Sequence, residues 1–190
     1  EWNVNYDMKL NDHWSTAVFG HYEDSFREMD NNNDGFLDRP VTRQYNFFNK
    51  WKYKSDFINW KFGWSILDES RDGGQVAFDK NISPFDQQAY GIGIDSKKMN
   101  AYSKLGFIFD RPSTSLGTVL KWDRYTRDSF YGRQLYDVDQ QNIYGSVIFQ
   151  SFLFNTNHNY SVGLNYVNDR NRNKIQFLED TPLKLMLQMH

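Results

Sequence analysis

A regular alternation of apolar and polar side chains is the feature that most limits what this chain can fold into. It is clearest between residues 57 and 70, where Ile58, Trp60, Phe62, Trp64 and Ile66 alternate with polar or small residues. Successive side chains of a β-strand point to opposite faces, so this period-two pattern predicts a strand with one apolar face. Similar alternation recurs along the chain with almost no helical periodicity, which predicts an all-β protein.

The alternation divides the chain into eight predicted strands. They cover about residues 2–10, 13–26, 41–54, 57–70, 99–110, 114–126, 141–154 and 159–168. Short turns alternate with three long polar connections, at about 27–40, 71–98 and 127–140. We therefore expect residues 1–190 to form one antiparallel up-and-down meander of about eight strands.

The connections and the aromatic residues indicate where such a meander would reside. Transmembrane β-barrels have short turns on one side, longer loops on the other, and strands that alternate apolar-out with polar-in. Aromatic residues make up 18% of the chain. Many lie near the short turns, as an aromatic girdle at a membrane surface would: Trp14, Trp51, Tyr53, Phe57, Trp60, Phe107, Phe109, Phe152, Phe154 and Tyr160. The sequence predicts part of a barrel in the bacterial outer membrane, with lipid as a partner.

Several other classes of protein are disfavoured. The formal net charge is −2 and the basic residues are scattered among carboxylates, so a nucleic-acid partner is not expected. The chain lacks cysteine, which excludes disulfides and thiolate metal sites. Adjacent Asp68 and Glu69 would face opposite ways in a strand, and no nucleophile–base pair stands out. We do not expect an enzyme.

The first long connection contains a pattern of oxygen ligands typical of a calcium loop. Gly35 stands at position six and Val41 at position twelve, where an EF-hand has a bidentate Glu. The predicted ligands are the side chains of Asp30, Asn32, Asp34 and Asp38 and the carbonyl of Phe36. The alternative is a polar turn in which Asn and Asp bond their own backbone and Gly35 takes a positive φ.

A second candidate set consists of basic side chains on or near the polar faces of the strands. They are Lys50, Lys52, Lys61, Lys104, Lys121 and Arg124. They would line a basic lumen for an anionic ligand, or simply be solvated residues balanced by carboxylates.

Four segments of the chain resemble the barrel of TonB-dependent outer-membrane receptors. They are Asn31–Asp38, Gln44–Trp51, Glu69–Gln75 and Tyr102–Phe107. The resemblance implies a barrel of about 22 strands with a plugged lumen. It also implies uptake of a scarce ligand of the cobalamin, haem or siderophore type, energised by the inner-membrane TonB complex through the plug. Cobalamin receptors use calcium in extracellular loops, which favours the calcium interpretation.

The chain departs from that family in ways that limit the expectation. It shows no signal peptide, no plug domain, no TonB-contacting segment and no terminal aromatic residue. We therefore expect a partial barrel that does not transport alone and that associates with copies of itself through its open edges. Two alternatives stay open: a complete eight-stranded barrel with a structural or adhesive role, and a soluble calcium-dependent carbohydrate-binding sheet.

Overall fold

The computed structural model describes residues 1–177 and 188–189 and shows one β-sheet whose strands follow chain order. The strands are β1 (Trp2–Lys9), β2 (Trp14–Ser25), β3 (Val41–Lys54), β4 (Ile58–Gly74), β5 (Gly91–Ile108), β6 (Ser115–Tyr131), β7 (Gln134–Phe152), β8 (Asn159–Phe177) and the short β9 (Gln188–Met189). All pairs of neighbours are antiparallel. The predicted all-β up-and-down meander is confirmed. The described sheet is open, because β1 pairs with β2 alone.

The strands on the long-loop side extend further than the alternation predicts. The bounds of β3 agree with the prediction, but β5 begins at Gly91 and β8 continues to Phe177. Over residues 95–98 and 169–174 both faces of the sheet carry polar side chains, so no period-two signal marks these stretches while backbone pairing continues. The described residues contain no helix that is long and apolar enough to cross a membrane.

The prediction of a long polar connection at 127–140 is wrong. β6 and β7 pair as far as Tyr131 and Gln134 and are joined by the turn Gly132-Arg133. Gly132 has φ +57°, and a glycine with positive φ at the first central position is the pattern of a type II′ hairpin turn. The long connections at this end of the sheet are therefore 26–40 and 75–90. The opposite end carries the shorter connections 10–13, 55–57, 109–114 and 153–158.

The strand register sorts the side chains onto two faces. Residues paired across strands share a face, so the register can be followed in rows from β1 to β8. We call the face that carries Val4, Trp60 and Leu164 the apolar face. We call the face that carries Lys61 and Asn165 the polar face.

The sheet has almost no interior of its own. Val138 is the single hydrophobic residue buried among the described residues, and it is 6% exposed. Soluble domains normally bury an apolar sheet face against a second layer, because burial of apolar surface is the dominant favourable term in folding. The described chain supplies no such layer, so whatever covers the apolar face lies outside it.

Candidate functional site

Among strands β1 to β8, the apolar face exposes large side chains on every strand except β2. Trp2 in β1 is 74% exposed and Leu164 in β8 is 79% exposed. Other exposed members of this face are Val4, Tyr6, Tyr45, Phe47, Trp64, Ile66, Leu120, Ile143, Val147, Val162 and Tyr166. Exposed apolar patches of this extent mark a surface that contacts a partner or a membrane.

The exposed apolar residues form a band that runs obliquely across the strands. In β1 the band extends from Trp2 to Met8, and in β8 from Tyr166 down to Tyr160. The row that contains Met8 ends at Tyr166, whereas the row that contains Trp2 ends at Arg172. The bottom of the band in β1 is thus level with its top in β8.

The slant has a magnitude that can be compared with known sheets. The top of the band lies in the row of Arg172 at β1 and at Tyr166 in β8, so between these strands it shifts by the distance from Arg172 to Tyr166. We call this shift the slip. With a rise of about 3.4 Å per residue and about 4.8 Å between strands, this slip is a slant of about 30°. Strands of transmembrane barrels tilt by roughly 35–45°, so a horizontal layer of hydrocarbon would cut them along a similar oblique band.

Aromatic rings gather at the short-turn end of the apolar face. One group consists of five rings from β2, β3 and β4, with centroid separations of 4.4–6.4 Å: Trp14, Trp51, Tyr53, Trp60 and Phe62. A second group at this end joins Phe109, Phe149 and Tyr160. Within the predicted girdle, Phe152 differs, because it lies on the polar side, where the Arg111 guanidinium is 4.3 Å from its ring.

The tryptophans of the first aromatic group satisfy their polar atoms within the protein. The indole N–H of Trp60 donates to Ser103 Oγ at 2.9 Å, and that of Trp51 donates to Asn49 Oδ1 at 2.6 Å. An indole N–H without a partner is costly in apolar surroundings. These bonds suit a face from which water is excluded.

The polar face carries charged and amide side chains above open grooves. One groove of about 570 Å³ is lined by residues that include Lys98, Asp123, Gln140 and Asp169. Within it, the side-chain amide of Asn142 donates to the Asp169 carboxylate. The lining of this groove is therefore polar and charged.

The structure places five of the six predicted basic residues together on the polar face. They are Lys50, Lys52, Lys61, Lys104 and Lys121. The placement predicted for Arg124 is wrong. It lies in the row of Met99 and Gln141, on the other face, where its Nε is 3.3 Å from Asp139 Oδ1. Arg124 differs because it lies three positions after Lys121 on β6, and side chains an odd number of positions apart in a strand point to opposite faces.

The side chains of three predicted calcium ligands, Asp30, Asn32 and Asp34, accept hydrogen bonds from backbone N–H groups of their own loop. The backbone N–H of Asp34 donates to Asp30 Oδ1 at 3.1 Å and to Asn32 Oδ1 at 3.2 Å. The Gly35 N–H donates to Asp30 Oδ2 at 3.0 Å, and the Phe36 N–H donates to Asp34 Oδ1 at 2.8 Å. Gly35 has φ +83°, as both interpretations of this loop require.

The same loop is closed by Asp38 and tied to the next long connection. Asp38 Oδ2 accepts the backbone N–H of Asn31 at 2.8 Å. The Leu37 N–H donates to the Gly74 carbonyl at 2.9 Å, beside an isolated bridge between Phe36 and Gln75. Among the described residues, no three His, Cys, Asp or Glu side chains lie close enough to hold a metal ion. Calcium binding stays a prediction, because a carboxylate oxygen that accepts one N–H retains a further lone pair.

Sequence reasoning missed one arrangement on the polar face. Gly106 and Gly117 are directly paired partners on β5 and β6. Their pairing follows from register, which a single-strand pattern does not contain. The turn residues 109–114 between these two strands would have been a usable signal.

No family model, curated protein or solved structure matches this chain. The resemblance to TonB-dependent receptors therefore stays a prediction that rests on the four sequence segments alone.

Proposed function

We propose that this chain forms part of the wall of an outer-membrane β-barrel, with its apolar face against lipid and its polar face toward the lumen. The single observation that carries the proposal is the oblique apolar band. A flat hydrocarbon layer explains both its slant and its height, which along each strand is about 20–27 Å. The absence of a buried core in the described sheet supports the same arrangement.

The finer proposal is a TonB-dependent receptor that binds and imports a scarce ligand of the cobalamin, haem or siderophore type. Connections 26–40 and 75–90 and the hairpin turn at Gly132 lie at one end of the sheet, where a receptor needs a capture surface. The bridge between Phe36 and Gln75 couples the two long connections. Passage of the ligand along the polar face would be energised by the inner-membrane TonB complex.

The two alternatives make different demands on this sheet. A complete eight-stranded barrel requires β1 to pair with β8, and the described strands contain no such pairing. A soluble carbohydrate-binding sheet requires aromatic rings in one accessible patch. The rings form two groups along the short-turn end, and the Tyr22–Tyr45 pair lies at the opposite end of the band.

Tryptophan fluorescence in bilayers provides a direct test of the wall. All six tryptophans of the chain lie on the apolar face: Trp2, Trp14, Trp51, Trp60, Trp64 and Trp122. We expect lipids brominated near the middle of the acyl chain to quench Trp64 most strongly, in variants that keep it as the single tryptophan. Lipids brominated near the headgroup should quench Trp60 most strongly, in variants that keep Trp60 as the single tryptophan. Equal, weak quenching at both depths would contradict the proposal.

A further inference from the structure

A row of lysines crosses the polar face near the short-turn end. Lys52 on β3 is directly paired with Lys61 on β4, which is paired with Lys104 on β5. Lys9 on β1 continues the row through Ser15. Directly opposite side chains have Cβ atoms about 5 Å apart, so like charges at these positions repel and destabilise the sheet. We call Lys52, Lys61 and Lys104 the lysine row.

No carboxylate of the described chain lies within ion-pair distance of the lysine row. None of its three members forms an ion pair, whereas Lys9 pairs with Asp12 in the adjacent turn. Further lysines on this part of the polar face are Lys50, Lys54 and Lys121. A chain of net charge −2 thus concentrates positive charge in one place on this face.

Two glycines form an open shelf beside the lysine row. Gly106 and Gly117 are paired with each other, and neither has a positive φ. A Cβ added to Gly106 would come no closer than 3.7 Å to another atom, and one added to Gly117 no closer than 3.9 Å. Neither the backbone conformation nor the packing of the described chain requires glycine here. Glycine inside a strand weakens it and often marks a close approach by a ligand.

The shelf and two members of the lysine row, Lys61 and Lys104, line one groove. A groove of about 300 Å³ is lined by Lys61, Lys104, Gly106 and Gly117, among others. The lysines supply positive charge at its edge, and the glycines leave room for a ligand to reach the sheet. The cost of unpaired like charges and of two strand glycines is offset if a bound anion bridges the lysines.

We propose that this groove is a binding site for a small multivalent anion, held by Lys61 and Lys104 above the Gly106–Gly117 shelf. The inference deepens and rests on the proposed function, because it assigns a charge to the solute that the lumenal face receives. A ligand with two or more phosphate or carboxylate groups matches the spacing of the row.

The test is calorimetric titration of the full chain, in a non-ionic detergent at low ionic strength, with inorganic pyrophosphate as the probe. We expect saturable binding that Lys61→Gln and Lys104→Gln each weaken about fivefold, as loss of one exposed charge pair would. The matched control is Lys97→Gln, which removes the same charge from the opposite face. It should leave pyrophosphate affinity unchanged.

Filling the shelf without changing the charge separates a built site from general attraction. Gly106→Val and Gly117→Val should abolish binding while the circular dichroism of the sheet is retained, because the space above both glycines is open. Absence of binding in the wild type, equal weakening by Lys97→Gln, or full binding by the valine variants would each overturn the proposal. Quenching by brominated lipid reports separately on the membrane wall, so either idea can fail without the other.

Discussion

Tryptophan lies on one face of this sheet only, and its details suit a water-poor environment. The indole N–H groups of Trp51 and Trp60 have acceptors on their own face, at Asn49 and Ser103. Tryptophan is a residue that combines an apolar ring with a polar handle, which is why it gathers at membrane surfaces. At the residue scale, these features support the proposed contact between the apolar face and lipid.

The Asp30–Asp38 loop yields the first prediction. If the loop holds calcium, calorimetry should show saturable heat in the wild type and weaker binding in Asp34→Asn, because the loss of a carboxylate lowers the negative charge that holds calcium. The amide oxygen of Asn can still accept the Phe36 N–H that Asp34 accepts, so the loop should keep its shape. Asp86→Asn, in the other long connection, is the charge-matched control. An ordinary polar turn would give no heat in any of the three proteins.

At the scale of elements, the β6–β7 hairpin replaces what the sequence suggests is a polar loop. The hydrophobic alternation that locates strands reflects contact with an apolar environment on one side. Beyond Trp122 on β6 the apolar face carries Arg124, Thr126 and Asp128, so the pattern stops while the hairpin continues. The one sequence feature that indicates a hairpin here is the pair Gly132-Arg133, because a type II′ turn requires glycine at its first central position.

The hairpin turn gives the second prediction. Gly132→Ala should destabilise the protein by about 1–2 kcal/mol, because L-residues pay this amount in the left-handed region. The ring of Tyr90 would also lie 2.8 Å from the new Cβ. Gly117→Ala is the matched control, since its φ is ordinary and its surroundings are open. Urea unfolding in detergent should show a loss for the first variant and none for the second.

How far the sequence could predict this fold also depends on the element. Strand β3 was located from its alternation, since Tyr45, Phe47, Trp51 and Tyr53 all face one side. The register across the whole sheet was not predictable, because a short turn fixes the pairing only of the two strands that it joins. The slant of the apolar band and the lysine row both exist only in that register, so neither could be foreseen from single strands.

At the scale of the whole molecule, the described sheet is one layer with a polar face and an apolar face. A hydrocarbon layer on one side and a lumen on the other would satisfy both at once. In the proposed wall, the loops, the band and the lysine row would occupy different heights. Ligand capture would take place at the long-loop end, lipid contact in the middle, and anion binding near the short turns.

Without detergent or lipid, the exposed apolar face and the open strand edges should drive association. We expect the full chain to form large assemblies in plain buffer and to disperse in non-ionic detergent. Light scattering after size-exclusion chromatography would report the difference. A monodisperse monomer in plain buffer would contradict this prediction of association and favour a soluble sheet.

The central claim is that the apolar face touches hydrocarbon, and a pair of neighbouring substitutions tests it most directly. Leu164 lies on the apolar face and is 79% exposed, while Asn165 beside it lies on the polar face. The measurement is the free energy of unfolding from lipid bilayers for Leu164→Arg and Asn165→Arg. We predict a loss of about 2–4 kcal/mol for Leu164→Arg, the cost of arginine near the middle of a bilayer, and little change for Asn165→Arg. Equal stability of the two variants would contradict contact between this face and lipid.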